Sequence, residues 1–334
     1  MKMATFKLGV TATLLVVSVL LLWMQNINML MKHRDNHRMS HPWHPPPRRL
    51  RTKTPYPATN SIHYILNNPS ICRDTETVSL LFIVSSSTTH VKSRQYIRDT
   101  FANHTYFRFH VVRLIFVVGK SQKESIENKL IAESRMYGDV IQADFRDSYR
   151  NLTLKVVTEF HWVSKHCPNA IVVAKIDDDT FVDTVKLLRA YFPVFRTGRK
   201  YILCNFIPRM LIDRDGRWRI SNKEHVLKHY DAFPWSYCSG YGVFLSGNMI
   251  GQLYKAATMS PFLWVDDVYF SGVLPSKLTG FKYKHIENRW NEKVNNTECF
   301  LRANCHDIFG IVQKEDLYPI WNYTIKTRYR KYTF

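Results

Sequence analysis

From Val78 onward, short unbroken apolar runs alternate with stretches whose apolar residues recur every three or four positions. Leu80–Val84 and Leu114–Val118 have the length and β-branched content of buried strands, the second closed by Gly119. Between and after them, Lys92–Phe101 and Gln122–Tyr137 read as helices, the latter with Ile126, Leu130 and Ile131 on one face. Val140–Phe145 predicts a further strand, Leu152–His166 a helix buried through Leu154, Val157, Phe160 and Trp162, and Ala170–Ala174 another strand. This βα alternation predicts an α/β fold with a mostly parallel central sheet and helices on both faces. The remainder is less regular: Tyr201–Cys204 and Gly242–Leu245 read as strands, and Val268–Leu274 as a helix beginning near Asp266. With no repeat and no break, residues 78–334 are expected to form one domain.

The N-terminal end follows a different pattern. Lys2 and Lys7 precede an almost uninterrupted apolar run from Leu8 to Met24, long enough for one membrane helix. The run ends in Leu22-Trp23-Met24 without the small residues of a cleavage site, so residues 8–24 are expected to be an uncleaved signal anchor after a short tail at 1–7. Residues 25–77 carry six prolines between 42 and 57 among many basic residues, a composition that suits a stem rather than a packed core.

Charge and cysteine content set the compartment. The basic residues of the stem outnumber Lys2 and Lys7, which by the positive-inside count opposes a lumenal C-terminal domain. Four glycosylation acceptors, at Asn103, Asn151, Asn295 and Asn322, and six cysteines outweigh that count and place residues 78–334 in an oxidising lumen. Six cysteines allow about 15 pairings, so connectivity is open. A net charge of +20 invites a nucleic-acid reading, but no zinc-finger, basic-zipper or RNA-binding signature accompanies it and a lumenal chain meets no nucleic acid. The charge suits anionic partners instead: a nucleotide diphosphate, acidic glycans or lipid head groups.

The sharpest chemical signal is Lys175-Ile-Asp-Asp-Asp-Thr-Phe-Val182, three adjacent carboxylates at the carboxyl end of a core strand, where open α/β sheets bind ligands. Adjacent carboxylates repel, so such a cluster is either a solvated turn or a cation site, and hard oxygen ligands favour Mn²⁺ or Mg²⁺ shared with a phosphate-bearing substrate. Three other motifs fail. Gly119-Lys-Ser121 lacks the first glycine of a phosphate loop, Gly240-Tyr-Gly242 lacks the third glycine of a dinucleotide turn, and a calcium loop from Asp177 would need Gly at Val182 and Glu at Leu188.

A set of ordered segments resembles the β-1,3-glycosyltransferases of glycosyltransferase family 31, the galactosyltransferase and N-acetylglucosaminyltransferase group. Arg94-x-x-Ile97-Arg98-x-Thr100-Phe101 is similar to that family's Arg-x-x-Ile-Arg-x-Thr-Trp, with Phe for Trp. Asp144-Phe-Arg-Asp147-Ser-Tyr149-Arg-Asn151-Leu-Thr-Leu-Lys155 resembles its most specific stretch. Lys175–Val182 supplies the Asp-x-Asp element, Phe233–Gly242 resembles the acceptor-side aromatic and glycine segment, and Val265-Asp266-Asp267-Val268-Tyr269 resembles Glu-Asp-Val-Tyr with Asp for Glu. The resemblance implies a GT-A fold, a type II Golgi membrane protein and an inverting β-1,3-hexosyltransferase. It also implies Mn²⁺ (or Mg²⁺), a UDP-sugar donor carrying galactose or N-acetylglucosamine, and a glycan acceptor on glycoprotein or glycolipid. Homo-oligomerisation is a further expectation.

It also assigns roles. Asp177 and Asp179 are expected at the metal, joined by His306, and Asp178 on the donor side; a structural role for His306 stays open. Asp267 is expected as the base, with Asp266 as its competitor and ordinary helix capping as the bland role. Arg94, Arg98 and Lys155 are expected near the diphosphate, unless they pair with acids of the protein. Trp235 and Tyr237 stack on an acceptor sugar or lie in the core, and Gly240 and Gly242 admit close approach of backbone to substrate. The rivals are a catalytically inactive relative serving as a lumenal binding protein or chaperone, and a transferase for another UDP-sugar.

Overall fold

The computed structural model describes residues 62–221, 227–286 and 297–329. The expected anchor at 8–24, residues 25–61 of the expected stem and Asn295 lie outside these residues. Among the described residues no helix is long and apolar enough to cross a membrane.

The first half folds as its pattern predicts. In chain order come β1 (Tyr64–Leu66), β2 (Val78–Ser85), α1 (Val91–Asp99), β3 (Val112–Lys120), α2 (Glu124–Tyr137), β4 (Val140–Arg146), α3 (Leu152–His166) and β5 (Ala170–Asp177). Then follow β6 (Thr180–Val182), α4 (Thr184–Ala190), α5 (Phe192–Phe195), β7 (Lys200–Ile207), β8 (Tyr237–Ser246), α6 (Ile250–Ala257), α7 (Asp266–Val268), β9 (Phe281–His285), α8 (Thr297–Phe300), β10 (Phe309–Ile311) and α9 (Leu317–Thr327). Eight strands form one sheet in the order β1-β4-β3-β2-β5-β8-β7-β9. Strands β2 to β5 pair in parallel, β7 and β9 also in parallel, while the β1/β4, β5/β8 and β7/β8 pairs are antiparallel.

Strand periodicity divides the core between the two faces of the sheet. Leu81 and Ile83 pack with Val156, Val157, Phe160 and Val163 of α3 and with Ile250 and Leu253 of α6. Their neighbours Leu80, Phe82 and Val84 point the other way, toward Ile97, Phe101, Leu187, Ile320 and Trp321. Burial on both faces explains why β2 is apolar throughout, with every residue from Val78 to Ser85 buried.

Several elements depart from the sequence pattern. Residues 62–77, assigned to the stem, belong to the fold: Tyr64 pairs with Ala143, and Cys72 is bonded to Cys167. β1 has only three residues, too few for periodicity to register. The helix expected at Val268–Leu274 begins at Asp266 as α7 and widens at Tyr269–Val273 into a π-turn, closed by Leu274 N–H donating to the Tyr269 carbonyl. The remaining cysteines pair as Cys204–Cys238 and Cys299–Cys305, leaving none free.

Asn103 and Asn322 keep surface positions, Asn103 accepting from the Thr105 N–H and hydroxyl. Asn151 donates its side-chain amide to the Arg146 carbonyl at 2.8 Å.

The Cys72–Cys167 bridge closes a separation of 95 residues, so the paired variant Cys72→Ser and Cys167→Ser should lose about 4 kcal/mol of unfolding free energy. Urea titration checks this; an unchanged midpoint would show that the bridge does not tie the N-terminal segment to the domain.

Candidate active site

The parallel strands of the first half end along one edge of the sheet, and the three aspartates stand there. Ser85, the last residue of β2, is in register with Asp177, the last of β5. Asp177 is 43% exposed in its side chain and accepts from Lys175 Nζ at 3.0 Å. Asp178 lies in the turn just past the end of β5 and is buried against the loop after β2. There it accepts from the Ser86 hydroxyl at 2.7 Å and from the Ser87 N–H at 3.4 Å, and meets His90 Nδ1 at 2.8 Å. Burial alone would raise its pKa; these hydrogen bonds outweigh that and hold it below the usual carboxylate range.

Asp179 lies between β5 and β6, its backbone oxygen accepting from Val312 N–H. Its carboxyl is pushed up to about 6 by surrounding protein, then by the charges of Asp177 and Asp178. The residue is nonetheless exposed.

The centre of the site is Lys175, 1% exposed and facing α3. Its ammonium donates to Asp177 Oδ1 and to the Gly240 carbonyl at 3.1 Å, stands 4.0 Å from Asp266 Oδ2, and lies over the Phe270 ring at 5.2 Å. Desolvation would lower its pKa, but Asp177, Asp266, Glu159 and Asp267 together hold it above the ordinary lysine range. Lys175 is thus a permanent cation joining the strand-end turn to the Asp266–Asp267 segment.

Asp266 and Asp267 open α7. Asp267 Oδ2 accepts from Gly240 N–H at 3.0 Å, and its backbone oxygen accepts from the Ser271 hydroxyl. Burial and then the Asp266 charge push the Asp267 carboxyl well up; burial raises Asp266 as well, against the pull of Lys175. The Asp266 side chain keeps 14% exposure, so the pair retains a route to solvent.

The glycines serve this packing rather than an open substrate face. A Cβ on Gly240 would stand 1.7 Å from Asp267 Oδ1, and one on Gly242 would stand 2.3 Å from the Phe309 ring. The close approach expected for substrate is taken by protein atoms at both positions. Trp235 and Tyr237, expected on an acceptor sugar, are buried core residues, with Tyr237 against Phe233 and its hydroxyl on Met210 sulfur.

Lys155 of α3, expected near the donor, crosses to the sheet edge, where its ammonium donates to the Ser86 carbonyl at 2.5 Å and Asp147 Oδ1 at 3.0 Å. Asp147 also accepts from Gly119 N–H, which draws together the loops after β2, β3 and β4. Arg94 and Arg98, expected at a diphosphate, are engaged within the protein instead. Arg94 is fully buried, forks onto Glu133 and reaches the Ser86 hydroxyl and Ser87 carbonyl; Arg98 bonds Asp139 and Glu133 and covers the Phe116 and Tyr137 rings. Both therefore brace α1 against α2.

His306 is displaced by strand register. β10 pairs antiparallel with β6, Ile311 opposite Thr180 and Phe309 opposite Val182, so Val312 is the residue that meets Asp179. His306, six positions earlier, lies at the other end of this ribbon, where the flanking Cys305 and Asp307 carbonyls accept from Lys186 Nζ. Among the described residues, Asp177, Asp179 and His306 do not gather as a three-ligand cluster. Cys299, Cys305 and Asp307 do, but those two sulfurs form a disulfide.

One buried acid was not singled out from sequence. Glu159 of α3 is 0% exposed, accepts from the Ser85 hydroxyl at 2.6 Å through Oε1, and has no partner for Oε2 among the described residues. Burial, opposed by Lys175, the Ser85 hydrogen bond and Lys155, pushes its carboxyl up to about 7. Its signal in the sequence was a glutamate next to Phe160 on the apolar side of an amphipathic helix.

These charges make two predictions. Lys175→Met leaves buried carboxylates without their cation and should lower unfolding free energy by about 3–5 kcal/mol in denaturant titrations. Glu159 keeps in the folded chain a proton that the unfolded chain releases near 4.5, so its contribution to stability is complete below that value and fades as pH rises to about 7. Glu159→Gln should flatten that part of the stability profile, measured by urea midpoints between pH 4.5 and 8; an unaltered slope would assign the titration elsewhere.

Known proteins share this sequence framework. Residues 92–287 match the family model described as Galactosyltransferase. Beta-1,3-galactosyltransferase 2 of Pongo abelii is 27% identical over 283 residues, covering 81% of this chain and 64% of that protein. Lactosylceramide 1,3-N-acetyl-beta-D-glucosaminyltransferase A of Xenopus laevis is 28% identical over 250 residues, covering 68% and 61%. UDP-GalNAc:beta-1,3-N-acetylgalactosaminyltransferase 1 of Rattus norvegicus is 33% identical over 199 residues, covering 57% of each. The chain spans less than two thirds of the length of each of these relatives. Because the matched segment takes in α1, the aspartate turn, Gly240 and the Asp266–Asp267 pair, and is more than half of the 334 residues, the chain belongs to the galactosyltransferase family, glycosyltransferase family 31.

Proposed function

We propose that the protein is an inverting β-1,3-hexosyltransferase with a GT-A type fold. It transfers galactose or an N-acetylhexosamine from a UDP-sugar to a hydroxyl of a glycan on glycoprotein or glycolipid. The observation that carries this reading is the pairing of two carboxylate groups across Lys175: the Asp177–Asp179 turn on one side and Asp266–Asp267 on the other. The names of the relatives, which specify galactose, N-acetylglucosamine and N-acetylgalactosamine, support the hexosyl class and leave the sugar open.

The residues fit a hard divalent cation. Asp177 and Asp179 offer oxygen donors at a strand end with surplus negative charge, and Asp177 and Asp179 are the groups that would hold Mn²⁺ or Mg²⁺ there. When bound, the cation supplies Lewis-acid neutralisation of the charge that develops on the departing diphosphate.

The chain's own groups divide the remaining work. Lys155, whose side chain is 3% exposed, gives N–H bonds to the Ser86 carbonyl and Asp147 and so places its charge beneath the loops after β2 and β4, on the side proposed for the donor diphosphate. Gly240 N–H aims the Asp267 carboxylate, whose free oxygen accepts the proton of the acceptor hydroxyl as the hydroxyl's own oxygen bonds to the anomeric carbon and the bond from that carbon to the UDP oxygen breaks. Lys175 holds the two carboxylate groups in place without itself exchanging a proton. The apolar run at 8–24, the four sequons and three disulfides support a type II, Golgi-membrane arrangement with a lumenal catalytic domain.

Transfer assays with the full chain, Mn²⁺ and a panel of UDP-sugars test the proposal. Asp267→Asn should lower the rate by roughly a hundredfold to ten-thousandfold while UDP binding persists, and Asp179→Ala or chelation should abolish turnover. Undiminished transfer in Asp267→Asn would reject its role as base, and turnover unaffected by chelation together with Asp179→Ala would reject the cation site.

A further inference from the structure

Beside the carboxylates lies a surface that the steps above leave unused. Tyr149 and Trp218 are each 44% exposed, and the Trp218 indole N–H donates to the Tyr149 hydroxyl at 2.9 Å. The Arg217 guanidinium stands 5.2 Å from the centre of the Tyr149 ring and 5.8 Å from that of Trp218. Arg150 lies 3.7 Å over the ring of Trp264, two positions before Asp266. Neither Arg150 nor Arg217 has an ion-pair partner among the described residues.

The nearby acid, Asp213, is otherwise engaged. Its oxygens accept from the N–H groups of Asp215, Gly216 and Trp218, and a Cβ on Gly216 would stand 2.4 Å from Oδ2. Asp213 therefore shapes the loop that presents Arg217 and Trp218, and among the described residues it forms no ion pair with Arg217. A guanidinium held over an aromatic ring by its charge still has N–H groups to donate, and their fork matches the paired oxygens of a carboxylate or sulfate.

The position relates this surface to the candidate base. Tyr149 and Arg150 follow Asp147, which is bonded to Gly119 and Lys155 at the strand-end edge. The Thr153 hydroxyl donates to the Leu263 carbonyl at 2.7 Å, binding the start of α3 to the segment that leads into Asp266. Exposed aromatics offer a stacking face to sugar rings, and two unpaired guanidiniums offer charge to an anionic substituent.

We propose that Tyr149, Trp218, Arg150 and Arg217 form an acceptor subsite for a glycan bearing an acidic group, a carboxylate or a sulfate ester. The proposal rests on the transferase reading for the word acceptor, but the binding it asserts stands on the surface alone. The aromatic rings take a sugar adjoining the reactive hydroxyl, and the arginines take its acidic substituent. The subsite would thereby set acceptor preference apart from the residues that handle the donor.

The test is a fluorescence titration of the full chain in detergent with one neutral oligosaccharide and the same oligosaccharide bearing either one sulfate or one carboxylate sugar. At least one acidic form should bind about tenfold more tightly than the neutral one, the size of one charge-assisted hydrogen bond. The double variant Arg150→Gln/Arg217→Gln should bring that ratio close to one, with Trp218→Ala weakening all three ligands. Arg108→Gln, in the exposed loop at the opposite, amino-terminal end of β3, should leave the ratio unchanged. Whichever acidic form is preferred identifies the group. Equal binding of all three ligands, a ratio that survives in the double variant, or a ratio that falls equally in Arg108→Gln would overturn the subsite. UDP release from donor, measured separately, tests the transferase reading: preference without UDP release would keep the binding site and reject the enzyme.

Discussion

A fully buried ammonium among four carboxylates is the constraint around which this domain is arranged. Lys175 interacts with Asp177, Asp266, Asp267 and Glu159, and one positive charge does not balance four negative ones. The excess is met in two physical ways. Protons are retained more strongly on Glu159 and Asp267, which burial favours, and the exposed Asp177–Asp179 turn keeps a surplus of charge where a cation from solution can approach. The same residue thus helps hold the core and leaves one end of the site electrostatically unsatisfied.

The sheet supplies the geometry. Its parallel half brings the ends of β2, β3, β4 and β5 to one edge, and the loops there are tied by Lys155, Asp147 and Ser86. The antiparallel partner β8 then runs alongside β5, so that Gly240 reaches Lys175 through its carbonyl and Asp267 through its N–H. Gly240 joins the lysine and the candidate base within a single residue, and the absence of a Cβ is what permits the approach.

The roles taken by the arginines illustrate how a motif can be preserved for architecture. Arg94 and Arg98 fall in a segment with family resemblance, yet Glu133 and Asp139 accept their N–H groups and the aromatic faces of Phe116 and Tyr137 cover Arg98. Through Ser86, Arg94 is still connected to Asp178, so it supports the acidic turn at one remove. By contrast Arg150 and Arg217, unremarked in the linear pattern, have no ion-pair partner among the described residues.

Local patterns along the chain were enough to determine the βα half, because a strand buried on both faces must be apolar throughout and an amphipathic helix must repeat near 3.6 residues. They also located the acidic turn, since three adjacent carboxylates are conspicuous wherever they fall, whereas the Asp266–Asp267 pair was singled out only by the family resemblance of Val265–Tyr269. They did not reveal β1, β6 or β10, whose three residues each carry no periodic signal, nor the position of His306, which depends on antiparallel register between segments more than 120 residues apart. Nor did they separate Gly240 facing Asp267 from Gly240 facing substrate, or foresee Glu159 beneath Lys175. Those distinctions come from contacts between distant segments, and a residue's type specifies which partners it can accept while only the packed chain determines which partner arrives.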